Sequence, residues 1–525
     1  MENGEWKKAI QEAKLAESVP TAVEVEGAKI LLVKAEGKIY ACGNECSHYH
    51  APLSEGLLAG HIVTCPWHNA RFDIRDGRML AAPGLNDLPT YEVKLEKGDV
   101  YVRQASKGAI SMPEGEDSRT FLIVGAGAAG NAAAEVLRRE GFCGRIVMVT
   151  AEAVGPYDRT MLSKDYLSGE APAKWLPLRG EKFYNRLNIE VLTGHRVVAL
   201  DPKARTVSFE GGGTLKADAI LLASGGVPRT LQVPGADLDG VFLLRSQADA
   251  DALIAAAESA AERGGGAVIF GASFIGLEVA GALRARDLEV HVAAPEILPL
   301  ARVFGEEIGR RIKERHEDGG IRFHLGCTAR EIRGSGKVEQ VILDDDTNLP
   351  AALVVIGVGI RPAIDFLEGT GLARDGAVPV NERFATEAEG IYAAGDIALA
   401  PDPLGGGPRR IEHWVEAERQ GQHAARAMLG SGEPYRGIPF FWSRQLGKSL
   451  RYLGFAREFD RVVVRGDVAK DAFVAGFYHS GKLLAAASIG HTREFIRLGQ
   501  ILEAGGTISP EQLGDPNFDL VRASL

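Results

Sequence analysis

Four residues of metal-binding types lie close together near the start of the sequence. Cys46 and His48 are separated by one residue, and Cys65 and His68 by two. Thiolates and imidazoles are good ligands for transition metals. Zn²⁺ accepts two cysteines with two histidines, but zinc-finger spacing groups cysteine with cysteine and histidine with histidine. Here each short arm carries one of each, which favours a two-iron cluster with both thiolates on one iron and both imidazoles on the other.

We therefore interpret Cys46, His48, Cys65 and His68 as the ligands of a Rieske [2Fe–2S] cluster. Two neutral imidazoles in place of two thiolates raise the reduction potential, so the cluster becomes an acceptor for electrons from a flavin. A zinc site and a set of polar loop residues without metal are the alternatives. The chain has five cysteines, an odd number, which favours a reducing cytoplasm over a disulfide framework.

A glycine-rich segment, VGAGAAG, follows an apolar run further along the chain. Gly125, Gly127 and Gly130 stand where a strand gives way to an alanine-rich helix, which is the setting of the dinucleotide-binding fingerprint. The glycines let the backbone approach a pyrophosphate at the helix N-terminus, where unpaired N–H groups attract it. The next strand ends near Glu152, roughly 20 residues after the last glycine, where an acid binds the ribose.

A second segment of this kind, FGASFIG, predicts a second dinucleotide site. Gly271, Ser273 and Gly276 take the three glycine places, and Ser273 is small enough to keep the close approach. Glu296 lies just beyond the following strand and is the candidate ribose-binding acid. No pair of arginines marks this place for a 2′-phosphate, so NADH is favoured over NADPH. A plain βαβ crossover is the alternative for this unit, and the presence of two such units counts against it.

The whole sequence has the composition of a multi-domain globular protein. It has 525 residues, of which 45% are hydrophobic and 25% charged. The formal charge of −10 counts against a nucleic-acid surface. No apolar run reaches membrane-spanning length, and the first residues lack the apolar core of a signal peptide. We therefore predict a cytoplasmic protein with neither a membrane nor a nucleic acid as partner.

Hydrophobic patterns divide the chain into regions that position these motifs. Alternating apolar residues predict a small all-β domain over 1–105, followed by a Gly/Ser/Pro-rich linker over 106–119. Apolar strands that end in glycines predict a first dinucleotide domain over 120–240 and 359–431, with a second over 241–358 inserted into it. Strand-like runs and a helical segment predict an α+β domain over 432–525. The predicted fold class is multi-domain α/β plus all-β.

Several longer stretches resemble one family, in the same order along the chain. They are CPWHNARFDI, VGAGAAG, PYDRTMLSK, EHWVEAERQGQ and FFWSRQLGKSLRYLGFAREFD. The sequence is similar to ferredoxin reductases of aromatic oxygenase systems and, above all, to apoptosis-inducing-factor-like proteins with an N-terminal Rieske domain. This resemblance implies FAD in the first dinucleotide domain and NAD(P)H in the second. No paired cysteines lie beside the flavin position, which counts against a disulfide reductase.

The resemblance also implies roles for individual residues. Lys164 and Arg159 lie at the FAD, with the lysine near the reactive edge of the ring. Phe274 and Glu278 gate the flavin face and hold the nicotinamide amide, so Lys164, Phe274 and Glu278 are the catalytic candidates. The further FAD-binding candidates are Gly395 and Asp396 at the ribityl chain, Glu412, His413 and Trp414 before a helix aimed at the flavin, and the aromatic Trp442.

The resulting functional hypothesis is an NAD(P)H-dependent flavoprotein oxidoreductase. Electrons would pass from NAD(P)H through FAD to the chain's own cluster, and then to an external acceptor such as an oxygenase component. We expect His48 and His68 at the exposed tip of the β domain, with the acceptor docking around them. A redox-sensing interaction protein with slow NADH oxidation is the alternative. The C-terminal region is expected to supply a flavin wall, and a homodimer face is a further hypothesis for it.

Overall fold

Two antiparallel sheets build the N-terminal region of the computed structural model, which describes residues 4–106, 110–405 and 407–524. The larger sheet has the order Lys7–Gln11, Asp99–Ser106, Thr90–Glu96, Lys38–Gly43, Ala28–Ala35, Thr21–Val25. The smaller sheet comprises Leu57–Ala59, Ile62–Thr64, Arg71–Asp73 and Met79–Ala81. The predicted all-β character is confirmed. Residues 107–109 of the predicted linker lie outside the described residues.

The first dinucleotide domain contains a five-stranded parallel sheet. Its order is Ile189–Leu192, Arg145–Val149, Thr120–Val124, Ala219–Leu222, Ile391–Ala393. The central strands are continuously buried, as expected for a parallel sheet covered on both faces. Helix Ala128–Arg139 starts at the glycine loop and packs on helix Trp414–Met428. Gly421 permits this crossing, because a Cβ there would lie 2.1 Å from the carbonyl oxygen of Ala129.

The remaining elements of this domain are short. A three-stranded antiparallel sheet comprises Val197–Asp201, Thr206–Phe209 and Thr214–Lys216. Two-stranded pairs are Gly226–Pro228 with Ile360–Pro362, and Val378–Pro379 with Ala398–Leu399. The short α-helices are Asp165–Ser168 and Glu181–Arg186. The first of the two-stranded pairs joins the domain to the inserted one, because its strands come just before and just after the inserted segment.

The second dinucleotide domain repeats the plan of the first. Its parallel sheet has the order Val241–Phe242, Leu353–Ile356, Gly266–Phe270, Glu289–Ala294, Ile321–Leu325. Its helices are Gln247–Glu262, Phe274–Arg284 and Ala301–Asp318. A small antiparallel sheet again precedes the strand next to the glycine-loop strand, with the members Ala329–Arg333, Gln340–Leu343 and Asn348–Pro350. The predicted pair of dinucleotide-type folds is therefore present.

The C-terminal region forms a five-stranded antiparallel sheet with helices on one face. The strand order is Phe440–Gln445, Lys448–Gly454, Lys482–Ile489, Ala472–His479, Arg461–Asp467. The helices Thr492–Glu503 and Pro510–Gly514 cover one face, and side chains of helices Phe274–Arg284 and Ala301–Asp318 pack on the other. The predicted strands and helix are confirmed. No helix among the described residues is long and apolar enough to cross a membrane.

Single 3₁₀ turns connect several of these elements. They are Glu12–Lys14, Leu53–Glu55, Arg159–Met161, Ala173–Trp175, Asp365–Leu367, Gly395–Ile397 and Leu520–Arg522. Two of them contain residues singled out from the sequence, Arg159 and the Gly395–Asp396 pair. Both of these turns lie beside the cavity described next.

Candidate functional site

A cavity of about 560 Å³ lies where the two dinucleotide domains meet the C-terminal sheet. This volume is in the range of cofactor sites. It is lined by Gly125, Gly127, Glu152, Arg159, Lys164, Ser273, Phe274, Gly276, Glu278, Gly395, Asp396, Glu412, His413, Trp414 and Trp442. Gly130, in the first turn of helix Ala128–Arg139, and Gly271 do not line it, and Glu296 is exposed outside it. The structure thus brings most of the predicted dinucleotide-site residues together.

The first glycine loop leaves space for a ligand at one position. A Cβ on Gly125 would lie 2.1 Å from the carbonyl oxygen of Ala223, and one on Gly130 would lie 1.9 Å from that of Gly125. At Gly127, in contrast, no heavy atom lies within 4 Å of the Cβ position. Gly127 is also the N-cap of helix Ala128–Arg139, where backbone N–H groups are unpaired. The loop therefore fits a pyrophosphate at the helix N-terminus.

The second glycine loop has the same framework with one difference. Gly271 and Gly276 are again required by packing, since Cβ atoms there would lie 2.4 Å from the oxygen of Gly357 and 2.0 Å from that of Gly271. Ser273 takes the middle position, and its hydroxyl donates a 3.2 Å hydrogen bond to the Gly357 carbonyl. Its side chain is thereby tied to the end of the neighbouring strand. The role of the exposed Glu296 stays a prediction.

The predicted ribose acid of the first domain is already paired with an arginine. Glu152 accepts a 2.7 Å hydrogen bond from the Tyr157 hydroxyl and forms an ion pair with Arg159. Arg159 also donates to the carbonyl of Arg245, at 2.7 Å. Arg245 in turn pairs with Asp396 at 2.8 Å, beside Gly395. These contacts form a continuous polar rim from the glycine loop to the Gly-Asp pair.

A buried ion pair joins three domains beside the cavity. Lys164 and Glu278 lie 2.9 Å apart, with side chains 10% and 2% exposed. Glu278 also accepts hydrogen bonds of 2.6 Å from the hydroxyls of Ser163 and Ser443. Ser443 belongs to the C-terminal sheet, whereas Lys164 and Glu278 come from the first and second dinucleotide domains. Four groups thus fix the relative position of the cavity walls.

The N-terminus of helix Trp414–Met428 faces the cavity. His413 is its N-cap and stacks on Phe441, with ring centroids 4.1 Å apart. Burial lowers the pKa of His413 to about 4, so the imidazole is neutral at physiological pH. Glu412 is exposed and pairs with Arg410. The positive end of the helix dipole therefore faces the cavity, and the carboxylate in the first turn, that of Glu416, is buried and accepts a 3.1 Å hydrogen bond from Gln420.

The cluster candidates lie on two loops of matching construction. The backbone N–H of Cys46 donates to the Ala51 carbonyl at 2.9 Å, and that of Cys65 donates to Ala70 at 2.8 Å. The Nδ1 atoms of His48 and His68 are 3.1 Å apart. Two nitrogens bound to one metal ion, each about 2 Å from it, have a separation of this size. The two imidazoles are therefore arranged to share one iron.

The two candidate thiolates form a second, buried pair. The pKa of Cys65 lies below its ordinary value, because the Cys46 thiol donates a hydrogen bond to it and the backbone N–H groups of His68 and Trp67 point at its sulfur. Within the described ranges, no three His, Cys, Asp or Glu side chains converge on a single metal position. Two sulfurs and two nitrogens in separate pairs fit a two-iron cluster.

The cluster loops are turned towards the cavity. The ring centroid of His68 lies 4.0 Å from that of Trp442, and the His48 ring lies 6.0 Å from it. His68 is 9% exposed. The expectation that both histidines lie at an exposed tip is therefore wrong. The C-terminal sheet covers them, because the β domain docks with its loops against the wall that Trp442 forms.

Sequence reasoning missed the residues that hold this contact. Arg451 donates to the Pro66 carbonyl at 2.7 Å, and Arg419 donates to the Asn69 carbonyl at 3.0 Å. An ion pair between Arg71 and Glu503, at 2.7 Å, lies in the same interface. Arg419 lies in the stretch EHWVEAERQGQ and Arg451 in FFWSRQLGKSLRYLGFAREFD. Their spacing does not indicate a domain contact, because their acceptors are backbone carbonyls of another domain.

Three known families account for the domains. Residues 5–92 match the Rieske [2Fe-2S] domain, residues 119–421 the pyridine nucleotide-disulphide oxidoreductase family, and residues 440–524 the reductase C-terminal domain. Together with the cavity and the paired cluster loops, they define a flavoprotein reductase with a fused Rieske domain. The chain belongs to the pyridine nucleotide-disulphide oxidoreductase family.

Individual relatives agree with this assignment. The sequence is 37% identical over 509 residues to apoptosis-inducing factor 3 of Homo sapiens, a match that covers 94% of this chain and 83% of that protein. It is 35% identical to the ferredoxin–NAD(+) reductase component of the biphenyl dioxygenase system of Paraburkholderia xenovorans, over 76% of this chain and 97% of that one. The chain is an NAD(P)H-dependent oxidoreductase whose cofactors are FAD and a Rieske [2Fe–2S] cluster.

Solved structures show the same fold outside the β domain. The ferredoxin reductase for the CYP199A2 system of Rhodopseudomonas palustris superposes with a TM-score of 0.74 and 35% identity, over 78% of this chain and all of that one. A covalent putidaredoxin reductase–putidaredoxin complex gives a TM-score of 0.74 and 30% identity, over 77% and 98% of the two chains. These matches confirm the predicted fold class for the reductase part.

Proposed function

We propose that this protein transfers electrons from NAD(P)H through FAD to its own Rieske cluster, and from there to an external acceptor such as an oxygenase component. One observation carries the proposal. His68, a candidate iron ligand, packs on Trp442, which lines the cavity between the two dinucleotide domains. The proposed electron donor site and the proposed electron acceptor site therefore both include contacts with this one aromatic side chain.

The proposed cofactor assignments follow from the cavity wall. FAD would take up hydride from the nicotinamide and release single electrons. The first glycine loop and helix Ala128–Arg139 would hold its pyrophosphate, with Glu152 and Arg159 at the adenosine end. Asp396 and the N-terminus of helix Trp414–Met428 would lie along the ribityl chain and ring. The loop with Ser273 would hold NAD(P)H, and Phe274 would cover the flavin face.

Lys164 and Glu278 have a positioning part in this proposal. Their ion pair is buried at the wall and tied to Ser163 and Ser443. Because these groups come from three domains, the pair keeps the nicotinamide and flavin positions in register. The Lys164 charge beside the ring would also favour the electron-rich reduced flavin.

The comparisons support an acceptor outside the chain. The biphenyl dioxygenase relative is named as a reductase component of an oxygenase system, and the putidaredoxin complex pairs a reductase with a separate ferredoxin. Here a Rieske domain is part of the same chain. We infer that the fused domain takes the place of the separate ferredoxin, so that an oxygenase-type protein is the next acceptor.

An anaerobic stopped-flow experiment with NADH tests this function. Flavin bleaching and the visible and EPR signals of the cluster are followed in the wild type and in Cys65→Ser. The proposal expects flavin reduction first and cluster reduction within the turnover time, with the second phase absent in the variant. Reduced flavin that persists for minutes beside an oxidised cluster would overturn it. The same experiment with NADPH determines the preferred nucleotide.

A second candidate function is redox sensing. The match to apoptosis-inducing factor 3 over 94% of the chain favours it. A sensor would oxidise NADH slowly and change its association when reduced. Size-exclusion chromatography with light scattering, before and after NADH, separates the two candidates and also tests the proposed homodimer. A cytoplasmic location remains part of the proposal, and it agrees with the absence of disulfides among the described residues.

A further inference from the structure

Two arginines of the reductase hold the loop that carries His68. Arg451, on strand Lys448–Gly454, donates to the Pro66 carbonyl at 2.7 Å. Arg419, on helix Trp414–Met428, donates to the Asn69 carbonyl at 3.0 Å. Pro66 and Asn69 are the residues on either side of the Trp67–His68 pair. Hydrogen bonds from the two arginines therefore fix the loop on both sides of His68, and the His68 imidazole lies against Trp442.

Each arginine is fixed by further contacts. Arg451 also donates to the Gly490 carbonyl at 2.6 Å and to the Thr492 hydroxyl at 2.9 Å. Arg419 also reaches the carbonyls of Ala82 and Ile438, both at 3.4 Å. A guanidinium offers five donors in a rigid fork, so it serves several carbonyls at once, whereas the compact lysine ammonium does not.

Both guanidinium groups are buried without a carboxylate partner. Arg451 is 6% exposed and Arg419 7%, and neither forms a salt bridge within the part of the chain that the structure describes. A buried charge of this kind is costly unless an opposite charge compensates it. Burial lowers the pKa of Arg451 to about 10, and the charge of Cys65 opposes that lowering. The carbonyl that Arg451 contacts belongs to Pro66, the residue after the candidate ligand Cys65, so the guanidinium lies beside the loop that carries the candidate cluster ligands.

For Arg419 the charged neighbours are different. They are Arg71, Glu503 and Glu416, and the carbonyl that Arg419 contacts on the loop belongs to Asn69, four residues from Cys65. Like Arg451, Arg419 thus donates to a backbone carbonyl of the loop that carries His68, but it does not contact the residue next to Cys65. A comparison of variants of the two arginines therefore separates an effect on the position of the His68 loop from an effect of the arginine charge on the cluster.

We infer that Arg451 and Arg419 are positioning residues for electron transfer from the flavin to the cluster, and that Arg451 in addition stabilises the reduced cluster by its charge. This inference rests on the proposed function for its first half. In the step concerned, one electron leaves the reduced flavin and enters the cluster, while both arginines remain protonated. The added negative charge would lie on the cluster whose loop Arg451 contacts, so the guanidinium would lower its electrostatic energy.

The experiment uses the full-length holoprotein with four variants. Arg451→Gln removes both the charge and the guanidinium hydrogen bonds, and Arg451→Lys keeps the charge alone. Arg419→Gln removes the hydrogen bond to the Asn69 carbonyl. Arg461→Gln is the matched control, since Arg461 is exposed and pairs with Glu511 on the far strand. The rate of cluster reduction by NADH is measured by stopped flow. The cluster midpoint potential is measured separately by a mediator titration followed by EPR, which does not depend on NADH.

The expected results differ between variants. Cluster reduction slows at least about tenfold in Arg451→Gln, Arg451→Lys and Arg419→Gln, because a displaced His68 no longer lies on Trp442. The midpoint potential falls in Arg451→Gln and stays near the wild-type value in Arg451→Lys and Arg419→Gln. Flavin bleaching by NADH is unchanged throughout, and Arg461→Gln behaves as the wild type. Cofactor content and circular dichroism show whether each variant is folded.

The outcomes that overturn the inference are distinct from those that overturn the function. Wild-type rates of cluster reduction in folded Arg451→Gln and Arg419→Gln would refute the positioning role. An unchanged potential in Arg451→Gln would refute the charge role. If the wild-type cluster is not reduced by NADH at all, the proposed function fails, and the titration still decides on the charge of Arg451. If Arg451→Gln does not fold, Arg451→Lys and Arg419→Gln test the positioning role.

Discussion

The two dinucleotide domains share one plan but differ at the centre of their glycine loops. Both place the glycine-loop strand in the middle of a five-stranded parallel sheet. In both, the first and third glycines lie against backbone carbonyls and leave no room for a Cβ. The middle position is an open glycine in one and a hydrogen-bonded serine in the other. Packing therefore explains two of the three glycines, and the proposed approach of a ligand would explain Gly127.

This difference teaches how closely each domain approaches its nucleotide. At Gly127, no heavy atom of the described residues outside the neighbouring chain lies within 4 Å of the Cβ position. At Ser273 a hydroxymethyl group lies there, held by the Gly357 carbonyl. A tightly bound prosthetic group suits the first arrangement, and an exchanging cosubstrate suits the second. The following predictions test this comparison, beginning with the contact that joins the two domains.

The largest effect is expected from breaking the ion pair between the domains. Glu278→Gln leaves Lys164 buried without a counter-charge and should lower the free energy of unfolding by about 3–5 kcal/mol. Urea unfolding followed by circular dichroism measures this loss. The double variant Lys164→Met with Glu278→Gln should recover part of it, because no uncompensated charge remains. Equal stability of the wild type and Glu278→Gln would contradict the prediction.

A smaller and matched loss is expected from the third glycine of each loop. Gly130→Ala and Gly276→Ala both place a Cβ about 2 Å from a carbonyl oxygen, and each should cost about 3 kcal/mol of unfolding free energy. Gly432→Ala is the control, because its Cβ position has no heavy atom within 4 Å. Similar losses in the two domains support the shared plan. A loss of unfolding free energy in only one of the two variants would contradict the shared plan.

The middle glycine of the first loop should affect the ligand rather than the fold. Gly127 has φ −81°, which alanine also adopts, so Gly127→Ala should leave the stability of the FAD-free protein unchanged. The added methyl group lies in the space assigned to the pyrophosphate and should raise the Kd for FAD about tenfold, or 1.4 kcal/mol. Fluorescence titration of the FAD-free protein with FAD measures this Kd. An unchanged Kd would place the pyrophosphate elsewhere.

The smallest effect is expected from the corresponding serine. Ser273→Gly removes one hydrogen bond to the Gly357 carbonyl and should lower the unfolding free energy by about 1 kcal/mol. The Kd for FAD should not change, since Ser273 belongs to the other loop. A weaker FAD affinity in this variant would show that the two loops do not bind separate nucleotides.

Local patterns in the sequence predicted local structure. The strand–glycine–helix order at Gly125 and Gly271, and the alternating strands of the C-terminal region, are short-range signals that the chain keeps when it folds. The Cys-x-His and Cys-x-x-His loops are of the same kind. Residue roles such as that of Glu296, and the domain boundaries, stay predictions.

Contacts between distant segments could not be predicted in this way. Lys164 and Glu278 belong to different domains, and nothing near either residue indicates its partner. The docking of the β domain depends in part on Arg451 and Arg419 reaching backbone carbonyls, which every residue has and which therefore leave no pattern in the sequence. For the same reason the covered position of His68 contradicted the expected exposed tip.

The covered Trp442 has a kinetic consequence. A reductase and a separate ferredoxin must first meet, so their rate depends on concentration and on ionic strength. Here the contact between His68 and Trp442 already exists within one chain. In the proposed route, cluster reduction is thus a first-order event that dilution does not slow. In that route a free ferredoxin would find the surface at Trp442 occupied by the β domain, so the electrons from each nucleotide would pass to the protein's own cluster.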